Sequence, residues 1–313
     1  MKETKLPKIA LGAWAWGDDG TFGTKLDNET LRDVFDTAMD AGLNLWDTAY
    51  AYGMGTSEKA LGKLLAARPR ESYLVSDKLT PQCMDASAAN PVADMYGMQL
   101  GLLGVESMDI YWIHNPFGAP SWTTKLAEYL EGMDNPPVIG VSNHSLAEIK
   151  QADEILKQHG LKLGAVQNHF SLLERSSESG GILDWCKESG VAFWAYMVLE
   201  QGALSGKYDA EHPMPAGSDR AAVYNPVLGE IGKLNSVLAE VAQAHGVSAA
   251  QIPVAWAIAK ETVPIVGVTK KSHVEDAARA AAVELSSDEM AKIEQTAGSL
   301  DLNLVRYWEK RMD

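Results

Sequence analysis

The chain has 313 residues, 46% of them apolar and 22% charged, which is enough apolar content to bury a large core. Its formal net charge of −15 argues against nucleic-acid or anionic-membrane partners, so an anionic ligand would need a local basic patch. No run approaches the ~18 apolar residues of a membrane span, and the opening Met1-Lys-Glu-Thr-Lys lacks the apolar region of a signal peptide, so the expected location is cytoplasmic.

Strand-like runs follow in order: Ile9–Trp16, Leu43–Trp46, Tyr73–Ser76, Met108–His114, Val138–Val141, Leu163–Phe170, Val191–Val198 and Pro264–Val268. Helical patterns separate them. Ser145 with Glu148, Ser248 with Gln251, Ser272 with Glu275 and Ser286 with Glu289 have the spacing of capping boxes at helix starts. Strands alternating with helices predict parallel β-α-β units wound into an α/β fold, a (β/α)8 TIM barrel forming one domain over residues 1–313. The least regular stretch, Glu200–Pro226, lies in a loop of about 199–227 and is expected to be a lid or binding loop; a short tail occupies about 300–313.

In such a barrel the chemistry belongs at the carboxyl ends of the strands. The run Leu43–Trp46 ends in Asp47, and five residues on, in a glycine-flanked loop, stands Tyr52. Ser57 then opens a helical pattern with Ala60, Leu61, Leu64 and Leu65 on one face. A turn-capping aspartate and a packing tyrosine would give the same two residues. The third strand runs on into Lys78, an ammonium that is costly at a strand end unless paired, and Asp47 on the neighbouring strand is the natural partner. The fourth ends in His114, the fifth in Ser142-Asn143-His144, the sixth carries Gln167-Asn168, the seventh Tyr196, and the eighth ends in Gly267-Val-Thr-Lys270-Lys271. A single histidine after an apolar run is most often a satisfied core residue. Polar groups on so many successive strands argue for a site.

Carbonyl reduction is chemistry these residues permit. It needs a hydride donor on one face of the carbonyl carbon and a proton source at the oxygen. A phenol of pKa ~10 is a reluctant acid; an ammonium beside it favours phenolate, so Lys78 is expected to lower the pKa of Tyr52 and make it a usable general acid. Asp47 would keep Lys78 charged, and a neutral His114 would orient the carbonyl. Other motifs fail. Gly53-Met-Gly55 lacks the third glycine of a dinucleotide fingerprint, Gly202-Ala-Leu-Ser-Gly206-Lys207 is too short for a phosphate loop, and no metal-type pattern is present. Cys83 and Cys186, far apart in sequence, read as free thiols in a reducing compartment.

The set Asp47-Thr-Ala-x-x-Tyr52-Gly, Ser57-Glu58, Lys78, Ile113-His114, Gly140-Val-Ser-Asn143 and Gln167-Asn168 resembles the aldo-keto reductase superfamily, from Leu11-Gly-Ala-Trp-Ala-Trp16-Gly to roughly Leu285. The resemblance implies a barrel that reduces aldehydes or ketones, or oxidises alcohols, with a nicotinamide cofactor, and Tyr52, Lys78, Asp47 and His114 as its catalytic set. It assigns Ser142, Asn143 and Gln167 to the carboxamide, Tyr196 to stacking on the nicotinamide ring, and the loop from Leu199 through Lys207 to Arg220 to the pyrophosphate. Gly267, Lys270, His273 and Asp276 belong to the other end of the cofactor, where a helix start favours anions. Trp16 and Asn115 are expected to line a substrate pocket for a small aldehyde, ketone or sugar.

Two departures weaken the likeness. The usual Tyr-Ser-Pro-Leu reads Tyr196-Met-Val-Leu199, and Ala277 stands where family members commonly carry Asn. Lys270 and Lys271 still favour NADP(H) over NAD(H). The alternative is a cofactor-binding regulatory subunit of the same fold, like the β subunits of potassium channels. The tail Tyr307-Trp308-Glu-Lys-Arg-Met-Asp313 either closes over the site or docks on the barrel.

Overall fold

The computed structural model describes residues 6–23, 25–300, 302, 304, 306 and 309–312. Eight parallel strands close into a barrel in sequence order: β1 Ala10–Gly12, β2 Leu45–Asp47, β3 Leu74–Leu79, β4 Ile110–Ile113, β5 Val138–Ser142, β6 Leu163–His169, β7 Ala192–Tyr196 and β8 Val263–Gly267. The predicted (β/α)8 barrel is therefore what the chain forms. β1 closes the ring by pairing Gly12 with Asp47 on one side and Gly267 on the other.

The period-2 alternation of a strand sorts side chains between two cores. Ala10, Leu45, Ile110, Trp112, Ala165 and Trp194 point inward as an apolar plug. Their neighbours, among them Leu11, Trp46, Val75, Tyr111 and Val166, face outward into the larger core beneath the helices. Trp112 and Trp194 meet edge-on at 5.2 Å inside the barrel. Two tryptophans fit there only because the opposing position on β5 is glycine: a Cβ on Gly140 would lie 2.2 Å from Trp112 Cε3.

The first run is shorter than its apolar content suggests, because the chain leaves the barrel after Gly12 and turns through a 3-10 segment, Trp14–Trp16. β3 is longer, extending to Leu79 with Lys78 inside the strand. Two of the four expected capping boxes form, at Ser145–Glu148 and Ser286–Glu289. The other two do not. The helix Lys271–Ala280 starts with Lys270 as its cap, so Ser272 is already helical, and the helix Gln251–Ala259 is preceded by Ala250 while Ser248 accepts the Gln251 side chain instead.

The described tail residues dock on the barrel: Leu304 and Met312 are buried, Met312 N donates to Ser176 Oγ at 2.9 Å, and Lys310 pairs with Glu148 at 2.5 Å. Tyr307, Trp308 and Asp313 lie outside the described residues. Both cysteines are free, and burial pushes the Cys186 thiol up to about 12. No helix among the described residues is long and apolar enough to cross a membrane.

Gly140→Ala should therefore destabilise the fold by about 1–3 kcal/mol through overpacking against Trp112, read as a lower urea midpoint at unchanged slope.

Candidate active site

The apolar plug ends at a polar layer at the carboxyl ends of the strands. Lys78 is fully buried, and its three ammonium protons have three acceptors: Asp47 Oδ2 at 2.6 Å, Thr48 O at 2.7 Å and Tyr52 Oη at 3.2 Å. A buried ammonium is tolerated only when it is paired and saturated in this way. Asp47 is itself fixed, since Oδ1 accepts from Ser76 Oγ at 2.8 Å and from Gln167 Nε2 at 3.2 Å. Ser76 Oγ in turn receives the indole N–H of Trp112 at 2.6 Å, which ties the polar layer to the plug below it.

Tyr52 reaches Lys78 from the loop after β2. That loop turns at Gly53, whose φ is +68°, and a Cβ there would sit 2.1 Å from Thr56 Oγ1 and 2.6 Å from Asp18 N. Only glycine meets both demands. Trp14 stacks on the Tyr52 ring at 5.5 Å with 21° between planes, and His114 meets it edge-on at 6.0 Å. His114 Nδ1 lies 2.7 Å from Thr80 Oγ1, and its backbone oxygen accepts from Asn143 Nδ2 at 3.0 Å.

The electrostatics correct one expectation. Burial pushes the Tyr52 phenol upward, Lys78 offsets only part of this, and the net direction is above its ordinary value rather than below. Burial alone would pull Lys78 down, but Asp47 and Tyr52 reverse that and raise it. Burial, helped by the charge of Lys78, lowers His114 to about 3, so its imidazole is neutral. Near neutral pH the site holds a phenol, an ammonium and a neutral imidazole.

The carboxamide candidates lie beside this set. Asn143 adopts a left-handed backbone, φ +65°, with Nδ2 donating to Ser142 Oγ at 3.2 Å and Oδ1 accepting from Tyr196 Oη at 2.5 Å. Behind the Tyr196 ring, His169 stacks at 5.5 Å, hydrogen-bonds Glu200 Oε1 through Nε2 at 2.7 Å and places Nδ1 3.2 Å from the Glu309 carboxylate as an ion pair. Ser171, Tyr224 and Arg306 complete this buried network, joining β6, the long loop and the tail.

At the other end, Lys207 and Lys270 both act electrostatically on His273, which burial, with the charge of Lys270 second, lowers to about 4; His273 Nδ1 is 3.2 Å from Thr269 Oγ1. Gly267 is exposed at the end of β8. Arg220 is engaged with Gln201 O at 3.1 Å and with the rings of Phe22 and Tyr208. Leu199 O accepts the amides of Gly202 and Leu204 at the loop's first turn. Asp276 is held by Gln251 at 2.9 Å and Arg279 at 2.8 Å, and Lys271 by Asp33 at 2.9 Å.

Trp16, expected in the substrate pocket, is 6% exposed, packs on Trp46 at 5.1 Å and donates Nε1 to Val268 O at 2.7 Å. Trp14 is the tryptophan that lies against Tyr52, because the chain turns after Gly12 and separates two rings that an extended strand would have put on one face. Asn115 forms a reciprocal amide pair with Gln82 at 2.9 and 2.8 Å. Thr80 and the His169 network carry no local sequence signal; their partners lie far along the chain.

A family model described as "Aldo/keto reductase family" matches residues 8–297. The chain is 29% identical to the chloroplastic pyridoxal reductase of Arabidopsis thaliana, over 95% of this chain and 85% of that protein. It is 27% identical to L-glyceraldehyde 3-phosphate reductase of Escherichia coli K12, over 99% of this chain and 93% of that protein. Among solved structures, the glycerol dehydrogenase AKR11B4 from Gluconobacter oxydans superposes with a TM-score of 0.81 at 23% identity, covering 97% of this chain and 95% of that one. An aldo/keto reductase from Klebsiella pneumoniae in complex with NADP and acetate gives 0.74 at 22% identity, with 98% and 95% covered.

The His169 network makes stability depend on pH. Burial opposes the charged imidazole, but Glu200 and Glu309 more than compensate and raise His169 to about 10. A folded pKa above the unfolded value of ~6.5 gives stability that is complete below that value and is lost as pH rises toward about 10. Unfolding free energy should fall across this window by up to about 1.4 kcal/mol per pH unit from this group, and His169→Gln should flatten the slope in denaturant titrations at several pH values.

Proposed function

Because the chain belongs to the aldo/keto reductase family, we propose that its oxidoreductase site is the polar layer around Lys78 and that Tyr52 gives the proton to the oxygen of a small aldehyde or ketone. The observation that carries this reading is the Lys78 ammonium, fully buried and 3.2 Å from the Tyr52 hydroxyl. A phenol kept above its ordinary pKa is fully protonated before reaction, as a donor must be. When the proton leaves, the phenolate forms against an ammonium already in place, so the charge is stabilised without reorganisation.

The other residues follow from their positions. Asp47 keeps Lys78 charged and fixed. His114, neutral and anchored through Nδ1 to Thr80, presents Nε2 to the carbonyl oxygen when Thr80 donates that bond. Trp14 flanks the phenol and excludes water from one side of it. In the oxidative direction Tyr52 takes the proton back.

The residues fit a nicotinamide cofactor, which supplies the hydride when bound. Asn143, Ser142 and Gln167 offer amide and hydroxyl groups in one row next to Tyr196, suited to holding a carboxamide beside an aromatic ring. Lys207 and Lys270 gather near the start of the helix Lys271–Ala280, with Gly267 leaving the backbone open and His273 beside them as a neutral hydrogen-bonding group. Leu199, Arg220 and Asp276 shape this end: Leu199 turns the long loop, Arg220 pins it, and Asp276 fixes the helix. Two cations near one anion site favour NADP(H), with NAD(H) the weaker ligand.

Tyr52→Phe should lower kcat by about 10²–10⁴-fold while cofactor Kd, followed by tryptophan quenching, stays unchanged; an intact kcat would refute the assignment. Lys270→Ala should weaken NADPH binding roughly tenfold and leave NADH binding nearly as it was. Equal loss for both cofactors would remove Lys270 from the discrimination.

A further inference from the structure

Three buried carboxyl oxygens behind β3 receive no N–H or ordinary hydroxyl: Glu58 Oε1, Glu58 Oε2 and Asp77 Oδ2. Both side chains are 0% exposed. Asp77 precedes Lys78, so it leaves the strand on the opposite side, away from the barrel interior. There it meets the helix Thr56–Leu65, which carries Glu58, and the helix Pro91–Leu103, which carries Gln99. Asp77 Oδ1 accepts the backbone N–H of Lys78 at 2.7 Å, and Gln99 Nε2 donates to the backbone oxygen of the same residue at 3.1 Å while Gln99 Oε1 accepts from Tyr111 Oη at 2.6 Å. What remains for the two acids is each other, and their side chains are in hydrogen-bond contact. Two ionised carboxylates cannot make that bond, because neither has a hydrogen to give.

We propose that Asp77 and Glu58 share one proton, donated by Asp77 Oδ2 to the Glu58 carboxylate, and that this pair is a positioning device locking the helix behind the Tyr52 loop to the strand that carries Lys78. The helix begins only four residues after Tyr52, and its first turn is already tied to the barrel by Ser57, whose Oγ donates to Ala13 O at 2.7 Å and lies 2.9 Å from Thr48 Oγ1. The acid pair supplies the second fastening, to β3 itself. Tyr52 and Lys78 come from different elements, and these two fastenings set the distance between them.

Charge gives the same assignment. Burial, then the neighbouring Glu58 charge, holds Asp77 well above the usual carboxylate range. Burial also raises Glu58, while its contact with Asp77 and the charge of Lys78 work the other way, so Asp77 keeps the proton and Glu58 the charge. Lys78 on β3, Tyr111 on β4 and Cys83 beyond β3 are the titratable groups facing the pair, and Tyr52 also feels Asp77. Ionising both acids would add a negative charge there and push the Tyr52 phenol further up.

The effect on turnover rests on the reading of Tyr52 and Lys78 given above; the shared proton does not. The test uses the full-length protein and two variants. Infrared spectra near neutral pH should show the C=O stretch of a protonated carboxylic acid, and Asp77→Asn, which keeps the acceptor for Lys78 N–H and offers Glu58 an N–H, should abolish it. Asp77→Ala should lower kcat roughly ten- to hundredfold at unchanged cofactor Kd, and Asp77→Asn should recover most of that loss. Absence of the band in the unmodified chain, or its survival in Asp77→Asn, would overturn the shared proton. Full kcat in Asp77→Ala would overturn the positioning role. Should Asp77→Ala not fold, the comparison of Asp77→Asn with the unmodified chain decides on the spectra alone. A chain that shows the band but reduces no carbonyl would refute the reading of Tyr52 and leave the acid pair standing.

Discussion

A lysine ammonium with no exposed surface is the constraint on which the rest of this structure depends. Removing Lys78 from water costs several kcal/mol, and the cost is met only if every proton finds an acceptor and a counter-charge is in contact. Asp47, Thr48 O and Tyr52 meet that demand. Each requirement propagates outward. Asp47 must not move, so Ser76 and Gln167 hold it; Ser76 is held by Trp112, and Trp112 has room because residue 140 is glycine. A hydrogen-bonded chain thus runs from the apolar plug to the phenol, and the geometry of the polar layer and barrel packing are the same problem.

Backbone strain concentrates around this layer. Asn143, Met197, Glu200 and Gln201 all have left-handed φ, between +48° and +65°, and all follow the ends of β5 and β7. The departure at Met197-Val198 sits in this strained turn. Val198 is 1% exposed, so packing takes over part of what a proline's rigidity would give, and Glu200 is locked by His169, Ser171 and Tyr224. The turn that follows Tyr196 is therefore held from the tail side as well, through Arg306 and Glu309.

The barrel and its central residues were legible in the sequence because their signals are local. Apolar runs with period-2 alternation mark strands, and a charged or polar residue at the end of such a run marks the rim. What escaped was whatever depends on a neighbour distant in sequence or on one residue of backbone geometry. Trp14 rather than Trp16 lies against Tyr52 because a 3-10 turn begins after Gly12. Ser272 fails as a cap because the helix starts at Lys271. The upward direction at Tyr52 comes from desolvation of the phenol, which no pattern of neighbouring residue types displays. Glu58 and Asp77 each look like an ordinary surface acid on its own element, and only the packing of a helix on β3 brings them together.

Whether this polar layer reduces carbonyls is the central question for the protein. The most direct measurement is the loss of reduced-nicotinamide absorbance when the purified protein is mixed with NADPH and a series of small aldehydes and ketones, with the carbonyl-free mixture as reference. The expected result is carbonyl-dependent oxidation of NADPH with formation of the matching alcohol. Tight NADPH binding with no turnover across the series would contradict it and would make the site a sensor of the cofactor.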